Sequence, residues 1–185
     1  LLERKRFPHV VLDPVLRASS GFELLEARAL KELSRRLFKL ATVITPNLDE
    51  AAALAGLEVR NGDGMRAAAQ KLVELGARAV VITGGHLEKP VDLLYDGKEF
   101  VPFGSDRVRS ESTHGSGCTF AAALAANLVL GKQLPDAVML AKAYVTQAIQ
   151  KGYAIGKGPG PLNHFYRFQQ EPAYRVSEPA PVLHR

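Results

Sequence analysis

The sequence has a single cysteine, no tryptophan and no apolar run that approaches the roughly 18 residues of a membrane-spanning helix. One cysteine excludes an internal disulfide and favours a reducing, cytoplasmic environment. The net charge of +5 comes from scattered basic residues that are not interleaved with aromatic ones, which argues against a nucleic-acid surface. We therefore expect a cytoplasmic protein without a membrane or nucleic-acid partner, and its modest positive charge suits phosphate-bearing ligands.

Three short apolar segments that end at proline or glycine predict buried parallel strands. They cover residues 9–13, 41–45 and 79–83. Segments with helical spacing of leucine and alanine alternate with these strands, at residues 22–40, 47–55 and 63–75. Because strands and helices alternate, we predict parallel βαβ units in an α/β fold of three layers, αβα, with a mostly parallel sheet.

The pattern changes after the third strand. Residues 91–95 and 99–103 alternate in polarity around an Asp-Gly pair, which is a strong signal for a β-hairpin. Two long helices follow, predicted at residues 116–130 and 135–151, and each ends at a glycine. These elements are expected to finish the fold.

The two ends of the chain bear on its domain organisation. The sequence begins with Leu1 and not with methionine, and it reaches a predicted buried strand almost at once. We therefore predict that residues 1–170 are the C-terminal part of one domain that is incomplete at its N-terminus. Residues 171–185 are rich in proline and have no periodicity, so they are predicted to be a tail or a linker.

The most informative segment is Thr-His-Gly-Ser-Gly-Cys at the start of the alanine-rich helix. Gly115 and Gly117 flank Ser116 there, and a helix start has about four unpaired backbone N–H groups and a partial positive charge. Such a start can bind a phosphate or stabilise charge that develops during phosphoryl transfer. Cys118 lies at the mouth of this turn, where a helix dipole and a bound cation would favour its thiolate, and a thiolate can accept a proton from a substrate hydroxyl. The alternative is a glycine-rich turn without a ligand, in which the cysteine is a small buried apolar residue.

A second group of polar residues follows the predicted strand 41–45. Asn47 and Glu50 come just after its carboxyl end, where ligands bind in open α/β sheets. Their oxygen atoms can hold a hydrated Mg²⁺ that orders nucleotide phosphates. The same spacing is that of a capping box at the start of a helix, and the pattern alone favours the capping box. The two interpretations are compatible.

Polar residues also follow the other two strands. Asp13 ends the first strand, where it either neutralises a magnesium phosphate or only forms a turn with the next proline. Thr83 and Gly85 follow the third strand, where glycine lets the backbone approach a nucleotide or permits a tight turn. His86 and His114 do not have metal-ligand spacing with the cysteine, so a zinc site is not expected.

Six stretches of the sequence, in this order, resemble the ribokinase superfamily and, more narrowly, its hydroxymethylpyrimidine/phosphomethylpyrimidine kinases. They are VVLDPV (10–15), VITPNLDEAAAL (43–54), VITGGH (81–86), THGSGCTFAAALAA (113–126), AKAYVTQAI (141–149) and GKGPGPLNHF (156–165). Most ribokinase relatives have aspartate where this chain has Cys118. A cysteine there, preceded by Thr-His, is the pattern of the pyrimidine branch and of some pyridoxal-phosphorylating relatives.

The resemblance implies a role for each candidate residue. Cys118 would be the catalytic base, and the amides of residues 115–117 would form the anion hole. Asp13, Asn47 and Glu50 would serve Mg²⁺ and the phosphates of ATP, with the two carboxylates acting on the metal through water.

The resemblance also implies where the nucleotide lies. The adenine would sit between the segment that contains Thr83 and Gly85 and the final helices, near Lys142. The family often has lysine in place of Thr83, so a lysine charge on the phosphates is absent here or the threonine hydroxyl replaces part of its role. In full-length relatives most of the substrate pocket precedes the part that matches this chain, so residues 1–185 alone are expected to be inactive.

The implied function is phosphorylation of 4-amino-5-hydroxymethyl-2-methylpyrimidine, and then of its monophosphate, with ATP and Mg²⁺ in thiamine biosynthesis. Two alternatives stay open. One is a pyridoxal-type kinase, which shares the cysteine-bearing turn, and the other is a non-catalytic nucleotide-binding module, which the truncation and Thr83 would favour. The sequence also leaves open a homodimer and a fusion to another thiamine-pathway domain.

Overall fold

The structure is a computed structural model that describes residues 2, 4–5, 7–17, 22–85, 87–108, 110, 112–153, 155, 158 and 160–168. Its strands are β1 (Val11–Leu12), β2 (Val43–Ile44), β3 (Val80–Ile82), β4 (Val91–Tyr95) and β5 (Phe100–Gly104). Its helices are α1 (Ala27–Leu37), α2 (Leu48–Ala55), α3 (Gly62–Glu74), α4 (Ser116–Val129) and α5 (Leu134–Gln150). The predicted tail at 171–185 and His86 lie outside the described residues. None of the helices in the described part of the chain is long and apolar enough to cross a membrane.

The described strands form one sheet in the order β1-β2-β3-β4-β5. β1, β2 and β3 are parallel neighbours, whereas β4 pairs antiparallel with β3 and with β5. β5 therefore runs in the same direction as the first three strands, and β4 is reversed. The carboxylate of Asp96 accepts hydrogen bonds from the N–H groups of Lys98 and Glu99 in the hairpin turn, where Gly97 has a φ of 89°. The predicted mostly parallel α/β sheet and its hairpin are confirmed.

Helices cover both faces of the sheet, which confirms the three-layer αβα arrangement. On one face, α1, α2 and α3 contribute to a core that includes Ile44, Val80 and Ile82. On the other face, α4 and α5 pack against Val43 and Val81. Successive strand side chains point to opposite faces, so these alternating positions enter different cores. Because both faces are covered, β2 and β3 are apolar along their whole length.

The helix predicted over residues 22–40 is shorter in the structure. α1 begins at Ala27, and a 3₁₀ turn follows its last residue. Upstream of α1 the chain returns to the preceding loop, where Arg17 and Glu23 form a backbone bridge and an ion pair with a side-chain distance of 3.0 Å. Phe22 and Leu24 are exposed. Leu24 has helical spacing with the leucines of α1, but it lies before the helix and is not buried by it.

Candidate active site

The candidate site lies at the edge of the sheet where β1, β2 and β3 end. Because these strands are parallel neighbours, the residues that follow them come together, as the sequence predicted. Asp13 follows β1, Asn47 precedes α2, and Thr83 forms a parallel backbone bridge with Asn47. α4 contacts β1, and the thiol of Cys118 in its first turn and the carboxylate of Asp13 are close enough that each shifts the pKa of the other. The structure thus brings four predicted residues to one edge.

The start of α4 forms an open turn of the kind that binds anions. Gly115 has a φ of 85°, which favours glycine, and no side chain caps the helix. The N–H of Ser116 donates to the carbonyl of Thr113 at 3.2 Å and is engaged within the turn. The next N–H groups, those of Gly117 and Cys118, have no acceptor within a helix that begins here. A Cβ built on Gly117 would meet no atom within 4 Å, so the space in front of this turn is open.

Behind the turn, Ser112 is buried against two glycines of the C-terminal segment. Its hydroxyl donates to the carbonyl of Tyr153 at 3.3 Å. A Cβ on Gly152 would lie 2.3 Å from the Cβ of Ser112, and a Cβ on Gly160 would lie 2.6 Å from its hydroxyl oxygen. Only glycine fits at these two positions. This close packing holds the chain that leads into the anion-binding turn, and we did not predict it from the sequence.

The Cys118 thiol is the candidate base, and its surroundings favour the protonated form. Partial burial raises the pKa of the Cys118 thiol, and the hydrogen bond to Asp13 and the negative charge of that carboxylate raise it further. Its own backbone N–H lowers the pKa by less, and Glu50 adds a smaller increase. The expectation that the helix dipole and a bound cation together favour the thiolate stays a prediction, because these shifts describe the site without a cation. Without a cation, burial first and the neighbouring carboxylates second favour the protonated thiol.

Glu50 and Asn47 form the capping box that the sequence favoured. The Asn47 side chain accepts a hydrogen bond from the Glu50 N–H at 2.9 Å, and Oε2 of Glu50 accepts one from the Asn47 N–H at 2.8 Å. Oε1 of Glu50 accepts a third from the N–H of Leu16 at 3.4 Å. Burial raises the pKa of Glu50, these backbone hydrogen bonds lower it, and the charge of Asp13 raises it again. Glu50 is therefore a buried carboxylate with both oxygens engaged.

The donor set at this edge fits a hydrated Mg²⁺. Burial raises the pKa of Asp13, and its charge in turn raises the pKa of Glu50. A divalent cation stabilises the ionised form of two such carboxylates, and oxygen atoms are the ligands that Mg²⁺ prefers. Within the described residues, no cluster of three or more His, Cys, Asp and Glu side chains is arranged to hold a metal directly. The fit is therefore to an ion that keeps several waters.

The turn after β3 is closely packed at one glycine and open at the next. The N–H of Thr83 donates to the carbonyl of Pro46 at 2.9 Å. A Cβ on Gly84 would lie 2.2 Å from the carbonyl oxygen of Val91, so glycine is required there. Gly85 is exposed, and a Cβ on it would meet no atom within 4 Å. The open position is available for backbone contact with a ligand.

Lys142 takes part in a buried ion pair that the sequence analysis missed. Its Nζ lies 2.8 Å from Oδ2 of Asp92, and the two side chains are 12% and 7% exposed. Oδ1 of Asp92 accepts a hydrogen bond from the Gly84 N–H at 3.0 Å. Because β4 is reversed, Asp92 near its beginning lies at the same edge as the ends of the first three strands. A carboxylate inside an otherwise apolar strand was the signal that could have found it.

An open groove of about 460 Å³ lies between the end of β5 and α5. Ser105 follows β5 on one side, and Met139, Lys142 and Thr146 line the other. The groove places Lys142 beside a space of the size that small-molecule sites have. A second groove of about 450 Å³ runs along α1 and is lined by apolar residues such as Leu33.

A sheet covered by helices on both faces, with the carboxyl ends of its parallel strands facing an open helix start, is the architecture of ribokinase-like kinases. The model of the phosphomethylpyrimidine kinase family matches residues 1–163, and the chain belongs to this family.

Named relatives agree with this assignment. The chain is 46% identical over 157 residues to the thiamine biosynthesis bifunctional protein ThiED of Geobacter sulfurreducens, with 84% of this chain and 32% of that protein covered. It is 38% identical over 159 residues to the hydroxymethylpyrimidine/phosphomethylpyrimidine kinase of Aquifex aeolicus, with 85% and 62% covered. It matches the ADP complex of Bacillus subtilis pyridoxal kinase with a TM-score of 0.82 and 39% identity, covering 91% of this chain and 65% of that one. The chain thus spans less than two thirds of each of these proteins.

Proposed function

We propose that the protein is a kinase that transfers the γ-phosphoryl group of ATP to the hydroxyl of 4-amino-5-hydroxymethyl-2-methylpyrimidine, and then phosphorylates the monophosphate. The observation that carries the proposal is the open start of α4, which faces the Asp13 carboxylate and bears Cys118 in its first turn. Membership of the phosphomethylpyrimidine kinase family supports this choice of substrate.

The start of α4 stabilises the phosphoryl group in transfer. The N–H groups of Gly117 and Cys118 lie in the first turn of α4, at the positive end of the helix dipole, and the space around Gly117 is open. Preorganised donors of this kind stabilise charge that develops in the transition state, and removal of one such donor typically costs about 10²–10³ in kcat.

Asp13 and Glu50 would hold Mg²⁺ through water, and Asn47 keeps Glu50 in place through the capping box. When bound, the ion neutralises the two carboxylates, which favours the Cys118 thiolate, and it screens the phosphate oxygens. Both Glu50 oxygens already accept hydrogen bonds from backbone N–H groups, which supports contact between Glu50 and the ion through water.

Cys118 accepts the proton of the substrate hydroxyl. The oxygen then bonds to the γ-phosphorus as the bond between that phosphorus and the β–γ bridging oxygen breaks, and ADP leaves. Asp13 favours the protonated thiol before the substrate binds, because its carboxylate raises the pKa of Cys118. A positioned base contributes typically about 10²–10⁴-fold to the rate.

The adenosine part of ATP occupies the groove between β5 and α5. Its volume of about 460 Å³ suits a small ligand, and Ser105 and Thr146 supply hydroxyl groups beside the apolar Met139. The open backbone at Gly85 follows Gly84, whose N–H donates to Asp92, the ion-pair partner of Lys142 in this groove.

The test is the Cys118→Ala variant in an intact parent protein, since residues 1–185 alone are expected to be inactive, assayed with ATP, Mg²⁺ and the pyrimidine. We expect kcat to fall about 10²-fold or more and the affinity for ATP to change little, because the variant removes only the proton acceptor. Ala122→Ser, at an exposed position on the same helix, is the matched control and should keep the wild-type rate. Unchanged turnover by Cys118→Ala would remove the thiol from the mechanism.

Pyridoxal is a second candidate substrate, favoured by the similarity to the pyridoxal kinase of Bacillus subtilis. Its ring also carries a hydroxymethyl group, so the same base and anion-binding turn would serve it. Comparison of kcat/KM for the pyrimidine and for pyridoxal decides between the two. Nucleotide binding without turnover of either compound would instead indicate a non-catalytic module.

A further inference from the structure

Asp92 is the most buried carboxylate in the described chain that has no place in the proposed chemistry. It is 5% exposed and lies in β4 between apolar neighbours. Both of its oxygens are engaged, Oδ1 by the Gly84 N–H at 3.0 Å and Oδ2 by Lys142 Nζ at 2.8 Å. One side chain thus joins the turn after β3 to the middle of α5, which are 50 residues or more apart from one another in sequence.

The two partners of Asp92 belong to the two sides of the proposed nucleotide site. Gly84 precedes the open Gly85, and its own position is fixed because a Cβ there would lie 2.2 Å from the carbonyl oxygen of Val91. Lys142 lines the groove between β5 and α5, and its ammonium group is paired with the carboxylate of Asp92. The pair therefore lies where the groove meets the edge of the sheet.

The contact between Asp92 and Lys142 is a buried ion pair, and such a pair needs a reason other than stability. A buried ion pair is often no more stabilising than apolar residues of similar volume, because both charges lose their hydration. Its advantage is directional, since a carboxylate with two defined acceptors fixes a lysine and a backbone N–H in one geometry. The proposed anion site lies at the same edge, so the position of this lysine sets where positive charge is available to a nucleotide.

We propose that Asp92 is a positioning residue for the nucleotide, which acts by holding the Lys142 ammonium and the Gly84 turn in the arrangement that binds a magnesium nucleotide. This inference rests on the proposed function, because it assigns the nucleotide to the groove that Lys142 lines. Asp92 itself does not contact the ligand. Its effect on affinity is transmitted through Lys142.

The test is a double-mutant cycle on the affinity for ADP in the presence of Mg²⁺, measured by calorimetry with the purified protein. The variants are Asp92→Asn, which keeps an acceptor for the Gly84 N–H, Lys142→Met, which keeps the length of the side chain, and the two combined. Glu74→Gln breaks the exposed pair with Lys71 and is the matched control. Thermal unfolding of each variant is recorded alongside.

We expect Asp92→Asn and Lys142→Met each to raise the Kd about tenfold, and the double variant to match Lys142→Met, because coupled residues are not additive. The control should keep the wild-type Kd. The double variant should regain thermal stability, since it leaves no unpaired buried charge, but not affinity. If Asp92→Asn does not fold, Asp92→Glu, which keeps the charge but displaces the carboxylate, takes its place in the cycle and should also raise the Kd.

Three outcomes would overturn the proposal. Additive effects would show that Asp92 acts independently of Lys142, and affinity that returns together with stability would show a purely structural role. An unchanged Kd in Asp92→Asn would show no role in binding. Absence of ADP binding by the wild-type protein would refute the proposed function and this inference with it, whereas wild-type binding with additive variants refutes the inference alone.

Discussion

Replacement of Glu50 by glutamine separates the two roles that this residue can have at the start of α2. Its oxygens accept hydrogen bonds from the Asn47 N–H at 2.8 Å and from the Leu16 N–H at 3.4 Å. Glutamine keeps the shape of the side chain and one oxygen, so the shorter bond can persist. A hydrogen bond contributes about 0.5–1.5 kcal/mol net, and removal of a charge that burial disfavours offsets part of its loss. We expect the free energy of unfolding to fall by about 1 kcal/mol or less, which is about 2–4 °C or less in Tm.

Asn61→Ala is the matched control, because it weakens another helix start by a similar amount and leaves the site intact. The side chain of Asn61 caps α3 by accepting a hydrogen bond from the Gly64 N–H at 2.9 Å. Loss of an N-cap costs about 1 kcal/mol. The two variants are therefore comparable in stability and differ in the carboxylate at the proposed magnesium site.

The assay is urea unfolding with and without ADP and Mg²⁺. Ligand at 100 times its Kd stabilises the folded state by about 2.7 kcal/mol, and a tenfold weaker Kd removes about 1.4 kcal/mol of this. We expect Glu50→Gln to lose at least that much of the ligand-induced stabilisation, and Asn61→Ala to retain all of it. Equal stabilisation of both variants would show that Glu50 is a capping residue without a role at the metal, and the proposed magnesium site would be wrong.

Two further predictions use the single cysteine and the closely packed glycines. The raised pKa of the thiol predicts slow alkylation of Cys118 at neutral pH, and Asp13→Asn should speed it, because the variant removes the negative charge that favours the protonated form. The alkylation rate is measured by mass spectrometry as a function of pH, and it reports on Cys118 alone because the sequence has no other cysteine. A slower or equal rate in Asp13→Asn would show that Asp13 does not raise the pKa of the thiol. Gly152→Ala should lower the free energy of unfolding by about 1–3 kcal/mol, because its Cβ would lie 2.3 Å from that of Ser112. Gly62→Ala, whose Cβ would meet no atom within 4 Å, is the control and should not destabilise the protein.

Much of the fold and the location of the candidate site could be predicted from local sequence signals. Short apolar runs stopped by proline or glycine predicted β2 and β3, and the parallel order of these strands then brought Asp13, Asn47 and Thr83 to one edge. The capping box at Asn47 and Glu50 was equally local, because three residues determine it. Such signals depend on a few neighbouring residues, so they can be identified without knowledge of the rest of the chain.

Contacts between distant segments could not be predicted in the same way. The pair of Asp92 and Lys142 joins a strand to a helix 50 residues later, and no spacing in the sequence links the two. The pKa of Cys118 is another example, since burial of the thiol and the neighbouring Asp13 raise it, and neither can be seen in the sequence near the helix start. Both features depend on three-dimensional proximity, which composition and periodicity do not contain.

The packing of Ser112 against the C-terminal segment has a consequence for the order of assembly. The hydrogen bond from Ser112 spans 41 residues to Tyr153, and Gly160 completes the contact. The chain that leads into the turn of α4 therefore reaches its final position only when α4, α5 and the segment after them have docked. Contacts of such sequence separation require loop closure, which costs conformational entropy. Nucleotide affinity would then report completion of folding, and opening of the C-terminal segment would reduce phosphate binding while the two cores remained intact.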